Sequence, residues 1–170
     1  MDDFSTPGRP NYYGLHPSES NFVSPGKKPL SSMSPTMVFR RKETSKPNSL
    51  GKLILVLGAS GGPKIISAVF QVMANVILRG MPLYEAMVHP RVHDQLIYHG
   101  AAVTTTENTV LEQGPAIRVS NRTRDALTSR GHRLLDVTYE GTVQAITVDL
   151  DTDERTAACD VRKGGSPAGY

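Results

Sequence analysis

The stretch LILVLGASGGPKIISAVFQVMANVILRG, residues 53–80, joins three patterns without a break. Leu53–Leu57 is apolar at every position, the pattern of a strand buried on both faces. Gly58–Pro63 (GASGGP) then offers glycine and proline where packing side chains would stand. From Lys64 onward Ile65, Ile66, Val69, Val72, Met73, Val76 and Ile77 fall on one stripe of a helix. Lys64, Ser67, Gln71, Asn75 and Arg79 fall on the other. Pro63 suits the first helical position and Gly80 the end. Buried strand, glycine loop and helix are the frame from which the rest is read.

On the N-terminal side, seven of the 12 prolines lie before residue 48, so residues 1–35 read as loop. Thr36–Arg40 reads as a strand. A polar stretch ending Lys46-Pro47-Asn48-Ser49 turns it back onto Leu53–Leu57 as a hairpin. On the C-terminal side a short helix is expected at Leu83–Val88, stopping before Pro90. A third is expected at Arg124–Arg130, closed by Gly131. Val143–Leu150 and Arg155–Asp160 flank the acidic turn Asp151–Glu154 as a second hairpin, and a loose tail, RKGGSPAGY, ends the chain. Two hairpins with helices between them predict a mainly antiparallel sheet packed by helices, an α+β architecture.

With 170 residues, 38% hydrophobic and 21% charged, the chain is long enough for one domain with its own core. A net charge of +3 with no Lys/Arg block, and 6% aromatics, argue against a nucleic-acid partner. No run reaches the ~20 apolar residues of a membrane span, and Met1 is followed by Asp2 and Asp3 rather than by a secretory signal. Cys159 is the one cysteine, so neither an intrachain disulfide nor a cysteine metal site is possible. Asn121-Arg122-Thr123 forms an N-glycosylation acceptor for a chain that enters the secretory pathway.

A strand that runs into Gly61, Gly62 and a helix start aims backbone N–H groups at whatever sits above the turn. That arrangement holds an anion or a developing oxyanion, and it also serves as a plain tight turn. It fits neither a dinucleotide fingerprint nor a P-loop. Ser31 and Ser32, in PLSSMSPT, are either ligand-binding donors or turn-formers beside Pro29 and Pro35. They lack the elbow of a nucleophile; Ser60 is a sharper candidate, without a spaced His–acid pair. His89 and His93 stand four apart, but Pro90 spoils a shared helical face, so no metal site is expected. Asp2 and Asp3 are either a solvated acidic end or a partner for a substrate ammonium.

The blocks MDDFS, PGKKPLSSMSPT, GASGG, EAMVHPRVHDQ and DVRKGGSPAGY, in this order, resemble the gamma-glutamyltranspeptidase (glutathione hydrolase) family, on the C-terminal part of its small subunit. The resemblance weakens across residues 101–118. It implies an N-terminal nucleophile hydrolase fold, a four-layer α/β/β/α sandwich, incomplete in this chain. It implies cleavage of the γ-glutamyl bond of glutathione and related compounds, with transfer to water or an amino-acid acceptor, and no cofactor or metal. By the resemblance, Ser31 and Ser32 hold the glutamyl α-carboxylate and Asp3 its α-ammonium. Gly61 and Gly62 form the oxyanion hole, and Tyr13 matches a pocket-gating loop tyrosine across a length difference. The large subunit and the rest of the small subunit are implied as partners, at the plasma membrane or outside the cell. In the family a threonine nucleophile precedes the MDDF block, and Thr6 lies after Asp3. The chain alone is therefore expected to be inactive. The alternatives are a light-chain-like interaction protein without catalysis, or an unrelated binder of a small anion.

Overall fold

The computed structural model describes residues 4–41, 49–112, 114 and 116–169. Asp2, Asp3, the Lys46-Pro47-Asn48 part of the first connection and Tyr170 lie outside the described residues.

Both expected hairpins are present. β1 (Thr36–Arg41) pairs antiparallel with β2 (Leu50–Ser60), Thr36 opposite Leu57. β7 (Thr142–Val148) pairs with β8 (Arg155–Cys159) and also with β2, giving the order β1-β2-β7-β8. β2 is longer than its apolar run because Gly58, Ala59 and Ser60 continue the ladder opposite Gln144, Val143 and Thr142. Backbone pairing sets its length, not hydrophobicity.

One face of this sheet carries Leu55, Leu57, Val143 and Ala145. It packs on Ile65, Ala68, Val69 and Val72 of α1 (Lys64–Ile77), and α2 (Leu83–Val88) adds Leu83 and Met87. Leu55 is fully buried at the centre. Leu55→Ala is expected to cost about 2–5 kcal/mol, read as a lowered denaturant midpoint. The opposite face differs from the expectation of a strand buried on both sides. Ile54 and Val56 are half-buried, and Met37 and Ile146, which flank Val56 in register, are exposed. That face is only partly covered by the described residues.

α1 ends as expected at Gly80, whose φ of +64° lets the Met81 amide return to the Asn75 carbonyl at 3.0 Å. Its two faces are less clean than the sequence suggests. Ile66 and Ile77 are exposed, whereas Lys64 and Asn75 are buried. Each buried polar group has a partner: Asn75 reaches the Ala86 carbonyl and Arg79, and Lys64 reaches residues 139 and 140.

A second sheet has no counterpart in the sequence reading. β4 (Thr104–Thr109) is flanked by β3 (Val92–His93) and β5 (Ile117–Arg118), and pairs in parallel with β6 (Leu134–Val137). β4 reads TTTENT, with no apolar residue, yet is nearly all buried. Its threonines find hydrogen-bond partners on neighbouring segments instead: Thr106 donates to Asp136 at 2.7 Å and Thr109 to the Thr138 carbonyl at 2.8 Å. Between β5 and β6 lies α3 (Asn121–Thr128). It begins three residues before the expected Arg124 because the Ser120 hydroxyl caps it, accepting from the Thr123 amide at 3.2 Å. Gly131, at φ +91°, closes it. The Asn121 acceptor is the exposed first residue of that helix. No helix among the described residues is long and apolar enough to cross a membrane.

Candidate functional site

β2 delivers the chain to Gly61 and Gly62, and α1 carries it away. Gly61 has φ +141° and Gly62 φ +59°, conformations that side-chain-bearing residues rarely adopt. Space is as restrictive as conformation. A Cβ on Gly62 would fall on the Tyr13 ring, 2.5 Å from its hydroxyl, and one on Gly61 would lie 2.9 Å from Gly141 Cα. The Gly61 and Gly62 carbonyls accept from Lys64 and Ile65 at 3.3 and 3.1 Å, which turns the first helical turn tightly. Among the described residues neither glycine N–H has a hydrogen-bond partner. Two donors without a partner among the described residues, beside a helix N-terminus, make the turn locally electropositive.

Two aromatic walls enclose the turn. Tyr139 donates its hydroxyl to the Ser60 carbonyl at 3.1 Å and accepts from Thr142 at 2.9 Å. Tyr13 is placed by a compact loop in which Asn11 Oδ1 accepts the Tyr13 and Leu15 amides, each at 3.0 Å. Gln95 Nε2 holds the Tyr13 carbonyl at 3.2 Å, while Gln95 Oε1 faces His93 Nε2 at 3.0 Å. His93 Nδ1 in turn lies 2.9 Å from the Ser67 hydroxyl on α1. Tyr139 carries no sequence signal, Ser67 reads only as part of the polar stripe of α1 and Gln95 only as the end of the block EAMVHPRVHDQ; the three meet only through the fold.

Ser31 and Ser32 lie just before β1. Thr36 is opposite Leu57, so the antiparallel direction runs residues 31–35 back along the exit of β2. The serine block and the glycine turn therefore share one end of the sheet. Ser31 is exposed and its hydroxyl accepts the Met33 amide at 3.2 Å; the Ser32 carbonyl accepts from Ser34 at 3.1 Å. The turn-forming role is present, and the placement leaves the binding role available. Asp3, the expected partner of the α-ammonium, lies outside the described residues.

Other candidates separate. His89 contacts Arg79 at 3.3 Å and its neighbouring Pro90 carbonyl, away from the Ser67–His93–Gln95 chain. Among the described residues no group of three His, Cys, Asp or Glu side chains is placed to hold a metal.

Behind the turn lies a buried ionic network that anchors the start of the expected loose tail, while residues 163–169 beyond it are exposed and form neither helix nor strand. Arg91 pairs with Asp160 at 2.8 Å, and Arg162 with Asp160 at 2.9 Å and with Glu107. Arg162, the first residue of that tail, is 1% exposed in its side chain. Carbonyls of Met87, His89 and Gly141 and the Val143 amide add further hydrogen bonds, while Arg91 Nε has no partner among the described residues. Two cations meet two carboxylates, so no buried charge stands alone. Burial raises the Asp160 carboxyl, but the charges of Arg91 and Arg162 and the Val143 amide outweigh it and hold the group below the usual carboxylate range. Arg91 Nη1 holds the Gly141 carbonyl at 2.7 Å, and Gly141 is the residue that touches Gly61.

The sequence profile of the gamma-glutamyltranspeptidase family matches residues 1–170. The glutathione hydrolase proenzyme of Arthroderma benhamiae is 39% identical over 146 residues, covering 86% of this chain and 22% of that protein. Scoloptoxin SSD20 of Scolopendra dehaani is 31% identical over 170 residues, all of this chain and 76% of its own length. Among solved structures, a mutant of Helicobacter pylori gamma-glutamyltranspeptidase superposes with a TM-score of 0.77 at 36% identity, covering 96% of this chain and 78% of the matched one. The α+β arrangement described above is thus that of part of an N-terminal nucleophile hydrolase domain. The chain spans under a quarter of the fungal proenzyme. Because the family profile matches the chain along its whole length and solved members superpose on nearly all of it, this chain belongs to the gamma-glutamyltranspeptidase family.

Proposed function

We propose that this chain forms the oxyanion-hole and glutamyl-holding part of a gamma-glutamyltransferase or glutathione hydrolase. The observation that carries the reading is the pair of Gly61 and Gly62 amides, unpartnered among the described residues, at the sheet end that also bears Ser31 and Ser32. The substrate is glutathione or another γ-glutamyl compound, whose head group is a zwitterion. Ser31 and Ser32 donate to its α-carboxylate, Asp3 pairs with its α-ammonium, and Tyr13 closes over the bound glutamyl group.

The reaction needs a nucleophile from the family's threonine position, supplied from outside these residues. Its oxygen adds to the γ-carbonyl carbon, and the carbonyl oxygen becomes an oxyanion that accepts from the Gly61 and Gly62 N–H groups. The C–N bond then breaks, the leaving amine takes up a proton, and the acyl group passes to water or to an amino-acid amine. The large subunit and the remainder of the small subunit complete the pocket, and this chain alone turns over no substrate. The assembled protein works outside the cell or at the plasma membrane.

The test is release of 4-nitroaniline from γ-glutamyl-4-nitroanilide by the complete native protein. Each of Ser31→Ala and Ser32→Ala is expected to lower kcat/KM about 10- to 150-fold, the worth of a hydrogen bond to a charged group, chiefly through KM. Wild-type inactivity, or serine variants with unchanged KM, would overturn the reading. A second reading, a light-chain-sized binder without catalysis, is favoured by the match to most of the length of scoloptoxin SSD20. A native N-terminus at Met1, by Edman sequencing and intact mass, would select it.

A further inference from the structure

Lys64 is the first residue of α1, two positions after Gly62, and it is buried to 7% exposure. A lysine at a helix N-terminus is electrostatically misplaced, because the macrodipole there is already positive. Burial adds a second penalty. Something must therefore hold it. Its ammonium donates to the Tyr139 carbonyl at 2.6 Å and lies 3.1 Å from Glu140 Oε2, above the Tyr98 ring at 5.2 Å. Glu140 is itself 1% exposed.

The consequence is geometric. Lys64 grips the 139–141 segment at two consecutive residues. Tyr139 of that segment bonds the Ser60 carbonyl, and Gly141 abuts Gly61. Ser60 and Lys64 bracket the glycine turn, so the same three-residue segment is tied to both ends of it. Extended backbone carries Ser60 into the turn and a helix carries Lys64 out, and neither element alone fixes the direction of the two glycine amides.

We propose that Lys64 and Glu140 are positioning residues, clamping the Tyr139–Gly141 segment against the Gly61–Gly62 turn so that both N–H groups converge on one point. The assignment rests on the oxyanion reading for its catalytic meaning, while the clamp itself is a statement about the turn's geometry. Neither side chain touches the substrate; both act through the position of the glycine amides.

Three variants test it in the complete native protein. Lys64→Met keeps the aliphatic stem and removes the ammonium. Lys64→Met/Glu140→Gln removes both charges, so that no buried carboxylate is left uncompensated and folding is preserved. Lys64→Arg restores a donor at the same place. The clamp predicts a kcat on γ-glutamyl-4-nitroanilide lowered at least 10-fold in the first two, with KM within twofold, and recovered to within threefold in Lys64→Arg. Glycine-selective ¹⁵N spectra are expected to show the Gly61 and Gly62 amide signals displaced in Lys64→Met and returned in Lys64→Arg. A purely structural ion pair would lower the melting temperature and leave both the kcat per folded molecule and the two amide signals unchanged, and that result overturns the proposal. If the wild-type protein shows no turnover, the oxyanion reading fails, and the amide signals still decide the clamp: unmoved signals in both charge-removing variants refute it.

Discussion

Arg91→Met is expected to destabilise the protein by about 3–5 kcal/mol, the usual cost of removing one partner from a buried ion pair. The side chain is 1% exposed and donates to the Met87 and Gly141 carbonyls as well as to Asp160. Methionine fills the stem's volume but leaves two carbonyls and a share of the Asp160 charge without a donor. Arg91→Met/Asp160→Asn is expected to cost less than the sum of its parts, since the second change removes a charge the first has orphaned. Thermal and denaturant unfolding of the four-protein cycle measure both. The pH dependence has a definite sign. The folded Asp160 carboxyl lies below its ordinary value, so its stabilisation is fully present above the unfolded pKa of about 3.9 and is lost as pH falls through the lower folded value. In Arg91→Met the folded value rises, and acid unfolding is expected to begin at higher pH than in wild type.

Gly62→Ala is expected to reduce kcat by about 10²–10³, the loss typical of one misplaced oxyanion donor. The backbone at φ +59° disfavours any Cβ, and this Cβ would collide with the Tyr13 ring. The collision can be relieved by turning the glycine peptide, by expelling Tyr13, or by both, and each outcome disturbs the turn and its wall together. Gly80→Ala separates strain from site. Gly80 has a similar φ of +64°, with nothing within 4 Å of the place its alanine methyl would take, so it is expected to lose about 1–2 kcal/mol of stability and no kcat. Steady-state kinetics beside melting curves for the two variants make the comparison.

Which features are legible in the sequence follows from what holds each one. β2, α1 and both hairpins can be read because apolar periodicity and glycine or proline punctuation act within a few residues. The second sheet cannot, because β4 is built from threonines whose burial depends on partners such as Asp136 and Thr138, about 30 positions away. α3 starts ahead of its expected position because its first turn is polar and is held by the Ser120 cap rather than by an apolar stripe. The tail reads as loose because Gly164, Gly165 and Pro167 dominate it, whereas Arg162 in front of them is anchored by Glu107 and Asp160. At the site, Gly61 and Gly62 announce themselves by composition and the serine block by family resemblance. Tyr139, Glu140 and Gln95 act only by being brought to the turn from afar.

The central claim is that Gly61 and Gly62 present their amides to the oxyanion of a γ-glutamyl transfer. Its most direct test is a crystal structure of the complete native protein trapped with a γ-glutamyl analogue that forms a tetrahedral adduct. The adduct oxygen is expected at about 2.7–3.1 Å from both glycine nitrogens, with the α-carboxylate against Ser31 and Ser32. An adduct whose oxygen is held by other donors, with the two glycine amides facing solvent, would contradict the claim.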